Sequence, residues 1–200
     1  MARLTREESR ALTRTRLLDS ARHVYVQRGI GAATVDHIAE QAGYSKGAFY
    51  SNFASKEDIL LEILRQHMAD ELRLLAALVP RATTVPTLLE ELRQLYAGLA
   101  GHPDICVLST EIQLYAYRQQ SLQASVNSMF DGHRAALGAL LSHMAAGAGA
   151  RLAQPAEAVV TSLMGMVHGV LLQQLMFPAG GQAAAAELLV AYLRTVLLAD

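Results

Sequence analysis

The stretch that most restricts the fold is residues 34–60, TVDHIAEQAGYSKGAFYSNFASKEDIL. It reads as two short helices divided by one glycine, with a third helix start directly after. Thr34 suits an N-cap, because its hydroxyl accepts from a backbone N–H two or three residues on. Val35, Ile38, Ala39 and Ala42 follow at helical spacing and turn one apolar face inward. Gly43 tolerates the left-handed turn that ends such a helix. Ser45 is a second N-cap, and Ala48, Phe49 and Phe53 supply the next buried contacts. Lys46, Gly47, Tyr50, Ser51 and Asn52 are left to face outward or sideways. Ser55 with Asp58 is a capping-box variant that opens the next helix. Spacing of this kind builds a helix-turn-helix, whose second helix can enter the major groove of DNA.

The pattern continues on both sides. An amphipathic first helix ends at Gly29, and Gly31 stands three residues before Thr34. Ile38-Ala39, Ala42-Gly43, Ser45-Lys46-Gly47, Phe49-Tyr50, Phe53 and Ser55-Lys56-Glu57 complete an ordered set. Across residues 13–60 this set resembles the DNA-binding domain of the TetR family of bacterial transcriptional repressors. The resemblance implies a recognition helix from Ser45 to Phe53. On it Lys46, Gly47, Ala48, Tyr50, Ser51 and Asn52 approach bases or phosphates, with Ser45 at its start. Thr34 and Lys56, each at a helix N-terminus, are implied to meet phosphates. Ala48 is too small to read much beyond a thymine methyl, so sequence preference is expected to rest on Lys46, Tyr50 and Asn52.

Charge is divided along the chain. Residues 1–56 hold nine basic and five acidic residues, a net +4, and the remainder carries −5. A basic amino-terminal module on an acidic body suits a protein that meets DNA at one end. Arg3, Arg6, Arg10, Arg14 and Arg16 form either a flexible basic arm near the phosphates or a solvated helix face. The single cysteine, Cys106, excludes an internal disulfide and a thiolate zinc cluster. The seven histidines show no paired i, i+4 spacing, so neither a metal nor a cofactor is expected. No nucleophile–base spacing or phosphate loop is present, which argues against an enzyme. The charged first twenty residues do not read as a signal peptide, and a cytoplasmic protein, nucleoid-associated on its operator, is expected. Residues 158–186 lack Asp, Glu, Lys and Arg. Thr161, Ser162, His168, Gln173 and Gln174 interrupt that run, so it is expected to be a helix buried in protein rather than a membrane span.

Helical periodicity runs through the rest, and an all-α chain of about nine helices is expected. Residues 1–54 are assigned to the helix-turn-helix domain and 55–200 to an effector-binding and dimerisation domain. The eighth helix carries Ala158, Ser162, Gly165 and Gly169 as a stripe of small residues, which lets another helix come close. TetR-like repressors dimerise through their last two helices. The stripe, with Tyr192 and Val196 of the ninth, is therefore assigned to a homodimer interface, the alternative being packing within the chain. Such a dimer sets two recognition helices about one DNA turn apart, roughly 34–36 Å or more, on a near-palindromic operator of double-stranded DNA. Tyr96, Tyr115, Met129, His133, Met164 and His168 are candidates for a partly apolar small-molecule effector pocket. The expected function is a ligand-responsive repressor released by its effector. A transcriptional activator or ligand-independent regulator of the same fold is the alternative.

Overall fold

A computed structural model describes residues 5–99, 103–176 and 183–199. Among these the elements are α1 (Arg6–Ala32), α2 (Val35–Gln41), α3 (Lys46–Tyr50), α4 (Lys56–Ala76), α5 (Val85–Leu99), α6 (Pro103–Arg118), α7 (Gln120–Gly147), β1 (Ala150–Leu152), α8 (Ala156–Met176), α9 (Ala183–Val196) and β2 (Leu197–Ala199). The chain folds into two compact units. One joins residues 1–67 with 108–126, and the other joins 68–107 with 127–200. The helix-turn-helix expected over 1–54 is thus part of a larger unit.

In the amino-terminal unit the helix starts are fixed by side chains. Thr5 and Glu8 make a reciprocal capping box at α1. Thr34 Oγ1 accepts from the His37 N–H at α2, and Ser45 Oγ from the Ala48 N–H at α3. Gly43 takes φ 75° between α2 and α3, the conformation that the sequence demands there. Ser55 Oγ accepts from the Asp58 N–H, while Asp58 reaches back to the Ala54 N–H. The core is built from Leu17, Ala21, Val24 and Tyr25 of α1, Ile38 of α2, Phe49 of α3, and Ile59, Leu60, Ile63 and Leu64 of α4. Ser20, buried among them, donates to the Ile38 carbonyl at 2.7 Å and ties α1 to α2.

One expectation at α1 changes. The helix was expected to end at Gly29, yet helical turns resume and run to Ala32, with Gly29 itself at φ 72°, ψ 153°. The break exposes the Ile30 N–H, and Glu111 of α6 accepts from it at 3.3 Å. Tyr115, one turn further along α6, donates to Glu57 at 2.8 Å. These two contacts fasten α6 to the unit.

In the second unit α5, α7, α8 and α9 surround a core that includes Leu88, Leu92, Leu141, Val159, Leu189 and Leu193. The last helix was expected to reach Leu198 but ends at Val196, where β2 pairs antiparallel with β1. The Ala153 N–H donates to the Val196 carbonyl at 2.7 Å, so the ladder satisfies part of the helix end that solvent would otherwise take. Three-residue strands are too short to show alternation in sequence.

The expectation for the apolar run is corrected. Only 22% of residues 156–173 is buried, although α8 is by length and composition apolar enough to cross a bilayer. Val159, Val160, Leu163 and Leu171 face the core, and Ala158, Ser162 and Gly165 face outward.

Candidate nucleic-acid interface and effector cavity

Burying Phe49 on one side of α3 decides what the other side offers. Phe49 is fully buried and packs against Phe53 at 5.8 Å between centroids. Lys46, Gly47, Tyr50 and Ser51 are consequently exposed, with Ala48 half-buried. Tyr50 meets the Phe49 ring edge-on at 5.5 Å, which holds its half-exposed ring in place. The free face of α3 therefore presents one cation, one phenol and small residues that let a backbone approach. Ser51 Oγ turns back onto the Gly47 carbonyl at 2.9 Å.

Lys46 does not stand alone. Its Nζ lies 3.0 Å from Asp36 of α2, and both side chains are 54% exposed. The hydrogen bond and the charge of Asp36 hold the Lys46 ammonium above its ordinary pKa. An acid therefore shares the face that would meet phosphates.

Asn52 and Lys56 differ from expectation. The Asn52 side chain donates to the Ala48 carbonyl at 2.8 Å, and its Oδ1 is buried without a partner. As a reader of bases it would first have to leave its own helix. Lys56 is half-buried and donates to the carbonyls of Ile30 and Ala33 at 3.2 and 3.1 Å. It also lies 5.4 Å from the Tyr115 ring centroid. Its ammonium thus fastens the end of α1 to α4, and a phosphate would have to compete with these two carbonyls for it. Thr34 and Ser45 are exposed, but their hydroxyls are occupied as caps.

Arg14 is a residue whose position the sequence did not disclose. It stacks on Phe53 at 4.1 Å, donates to the Asn52 carbonyl at 2.8 Å and lies 3.6 Å from Glu62. Arg10 reaches the Ser51 carbonyl at 3.5 Å. Cations at the carbonyl end of α3 suit its dipole, so these two arginines brace the helix rather than form part of a flexible arm. Arg6 and Arg10 line an open groove with Ala48 and Asn52 beside α3. Arg3 lies outside the described residues.

In the second unit a cavity of about 40 Å³ is lined by Leu75, Leu92, Leu137, Leu141, Met144, Val160 and Leu163, with Glu71, Tyr96 and Met164 among them. His133, 3% exposed, holds Glu71 through Nε2 at 2.8 Å. Burial, and secondarily the Glu71 charge, push the Tyr96 phenol up, so it stays protonated. Of the expected pocket residues, Tyr96 and Met164 reach the cavity, and His133 stands behind its acid. Met129 and His168 are not among the residues lining it, His168 contacting the Met164 carbonyl instead. Tyr115 belongs to the amino-terminal unit, bound to Glu57, and its assignment to the pocket is corrected accordingly. Glu71 carried no signal in the sequence. It stands between Met68 and Leu75 on the buried face of α4, where an apolar residue is the usual occupant.

Residues 17–63 match the family described as bacterial regulatory proteins, tetR family. That match covers about a quarter of the chain, over the helix-turn-helix. The uncharacterized HTH-type transcriptional regulator TtgW of Pseudomonas putida is 44% identical over 69 residues, covering 34% of this chain and 51% of that protein. The HTH-type transcriptional repressor KstR2 of Rhodococcus jostii is 46% identical over 57 residues, 28% of each chain. The chain thus spans about half the length, or less, of these two relatives. The fold extends the likeness. FadR of Bacillus subtilis, solved with stearoyl-CoA, superposes with a TM-score of 0.71 at 20% identity, over 90% of this chain and 96% of that one. A regulator from Saccharomonospora viridis, solved with choline, gives 0.71 at 20% identity, over 92% and 97%.

The last two helices, α8 and α9, carry the residues expected at a dimer interface. Gly165 and Gly169 of α8 meet nothing within 4 Å of a Cβ added to either. The stripe of small residues is therefore not filled from within the described chain. Tyr192 is half-buried against the core, and Val196, 2% exposed, is part of it. Val196 is corrected from interface to core, because the helix turns that side chain toward its own unit.

Proposed function

We propose that the chain is a ligand-responsive transcriptional repressor that binds a near-palindromic operator in double-stranded DNA as a homodimer. The observation that carries this reading is the face of α3, which presents Lys46 and Tyr50 on a helix anchored by buried Phe49. Helix, caps and braces hold those side chains in register, as sequence-reading contacts require. The exposed small-residue stripe of α8 supports pairing of two copies, since two such helices can approach closely. The Glu71-lined cavity is the place for a small, partly apolar effector. Two proteins of similar fold were solved with ligands of their own, stearoyl-CoA and choline. Binding there favours a conformation with lower operator affinity, by as much as the effector discriminates between the two forms. Its action is assigned to the cytoplasm.

Gel shift with DNA upstream of its own gene tests the reading. Lys46→Ala and Tyr50→Ala should each lower operator affinity about tenfold or more, in line with the loss of a base contact. Thermal unfolding should stay unchanged. Unaltered affinity in both variants overturns the assignment of α3. A reporter fusion that falls, rather than rises, on deletion of the gene points instead to an activator.

A further inference from the structure

The cations that the sequence marks for phosphate are engaged within the protein. Lys46 lies 3.0 Å from Asp36. Lys56 donates to the carbonyls of Ile30 and Ala33. Arg14 donates to the Asn52 carbonyl and lies 3.6 Å from Glu62. Neutralised phosphates supply essentially all of a protein's sequence-independent affinity for duplex DNA, so a DNA-binding face of this kind needs cations from elsewhere. Arg6 and Arg10, both exposed, stand one turn apart on the same side of α1. They line the open groove between the start of α1 and the 48–52 edge of α3, with Ser9 and Thr13 along the same wall.

Arg6 is not placed for the sake of its own helix. It is the first residue of α1, where the helix dipole disfavours a cation. Arg10 gives one N–H to the Ser51 carbonyl at 3.5 Å, the long limit of a hydrogen bond, and a guanidinium has five to give. Of the two acids in the first turn, Glu8 is occupied by Thr5, whose N–H and hydroxyl donate to it at 2.7 and 2.9 Å. Glu7 lines the groove and opposes an anion there. Two arginines against one carboxylate leave the groove positive, on a wall continuous with the α3 face proposed to read bases.

We propose that this groove seats the sugar-phosphate backbone of the operator, beside the major groove that α3 enters, with Arg6 and Arg10 each meeting one phosphate. The proposal rests on the operator-binding reading above and assigns its sequence-independent part to α1. Both arginines lie outside residues 17–63, so the groove is not part of the family match. The labour is divided: α3 sets which sequence is preferred, and α1 sets how tightly any duplex is held.

The test is binding of the full chain, by fluorescence anisotropy, to DNA upstream of its own gene and to a random duplex of equal length, at several salt concentrations. Each phosphate contact contributes about 0.9 to the slope of log affinity against log salt, or about eightfold in affinity between roughly 1 M and 0.1 M salt. Arg6→Gln should therefore lower the slope by about one and weaken both DNAs about eightfold at roughly 0.1 M salt, with the preference for the upstream DNA unchanged. Adding Arg10→Gln should double the change in slope, and Glu7→Gln should tighten both complexes. Arg10→Gln also gives up the Ser51 contact, so Arg6→Gln, which leaves α3 untouched, is the deciding variant. Arg73→Gln removes an exposed positive charge of the second unit and should leave the slope unchanged. An unchanged slope in both groove variants overturns the proposal and leaves the operator reading standing. Arg73→Gln lowering the slope as far as Arg6→Gln also overturns it, since the effect is then one of net charge. A loss confined to the upstream DNA does so too, because Arg6 then reads sequence. A parent chain that binds both duplexes equally, with a slope that falls in Arg6→Gln, refutes the operator reading and leaves the groove as a DNA-backbone site. Failure of the parent chain to bind either duplex overturns both.

Discussion

Asp36 and Lys46 pose the sharpest question among single side chains. The pair is exposed, so it adds little to stability, yet it sets an acid beside the face proposed to meet phosphate. Asp36→Asn should free Lys46 and tighten binding to random DNA more than to the operator. It should also steepen the salt dependence by about one unit, since one more cation is available to displace counterions. Gel shifts at two salt concentrations with both DNAs measure this. Lys56 has the opposite character. Its ammonium bonds two backbone carbonyls, and hydrogen bonds to charged groups are worth about 1.5–3 kcal/mol each. Lys56→Met should lower stability by about 2–3 kcal/mol in denaturant unfolding, with operator specificity retained in the folded fraction. From sequence the two lysines look alike, each following a serine cap. Only the return of the chain at Ile30 and Ala33 separates the exposed Lys46 from Lys56, whose ammonium faces backbone.

At the scale of helices, the legible parts are those written locally. The caps at Thr34, Ser45 and Ser55, the turn at Gly43 and the buried face of Phe49 all follow from residues within a few positions of one another. What stayed hidden depends on distant partners. The resumption of α1 beyond Gly29 needs Glu111, 81 residues on, to accept from the Ile30 N–H. Gly29→Ala should test that joint, because alanine is strained at φ 72° and its Cβ would lie 3.3 Å from Glu111 Oε2. A loss of about 1–2 kcal/mol is expected from the strain, read as a lower unfolding midpoint. The strands β1 and β2 were illegible for a related reason: three residues carry no period. The cavity's acid was hidden because Glu71 breaks the apolar face that Met68 and Leu75 set, and nothing nearby marks the histidine that reaches it.

For the molecule as a whole, α8 connects fold with assembly. Of the apolar span of α8, 22% is buried and its stripe of small residues lies open, which the proposed homodimer would cover. Gly165→Glu places a long charged side chain on its open stripe. Sedimentation should show a homodimer for the parent chain and a monomer for the variant, and operator affinity should fall with it, because two half-sites then bind without linkage. The division of the chain into units has a different consequence. Because residues 108–126 belong with residues 1–67, the unit that carries the helix-turn-helix is not a contiguous cassette. Grafting residues 1–67 onto another sensor body would leave Gly29 and Glu57 facing a foreign α6, with the acceptor for Ile30 and the donor for Glu57 left behind. A working chimera must carry both pieces of sequence.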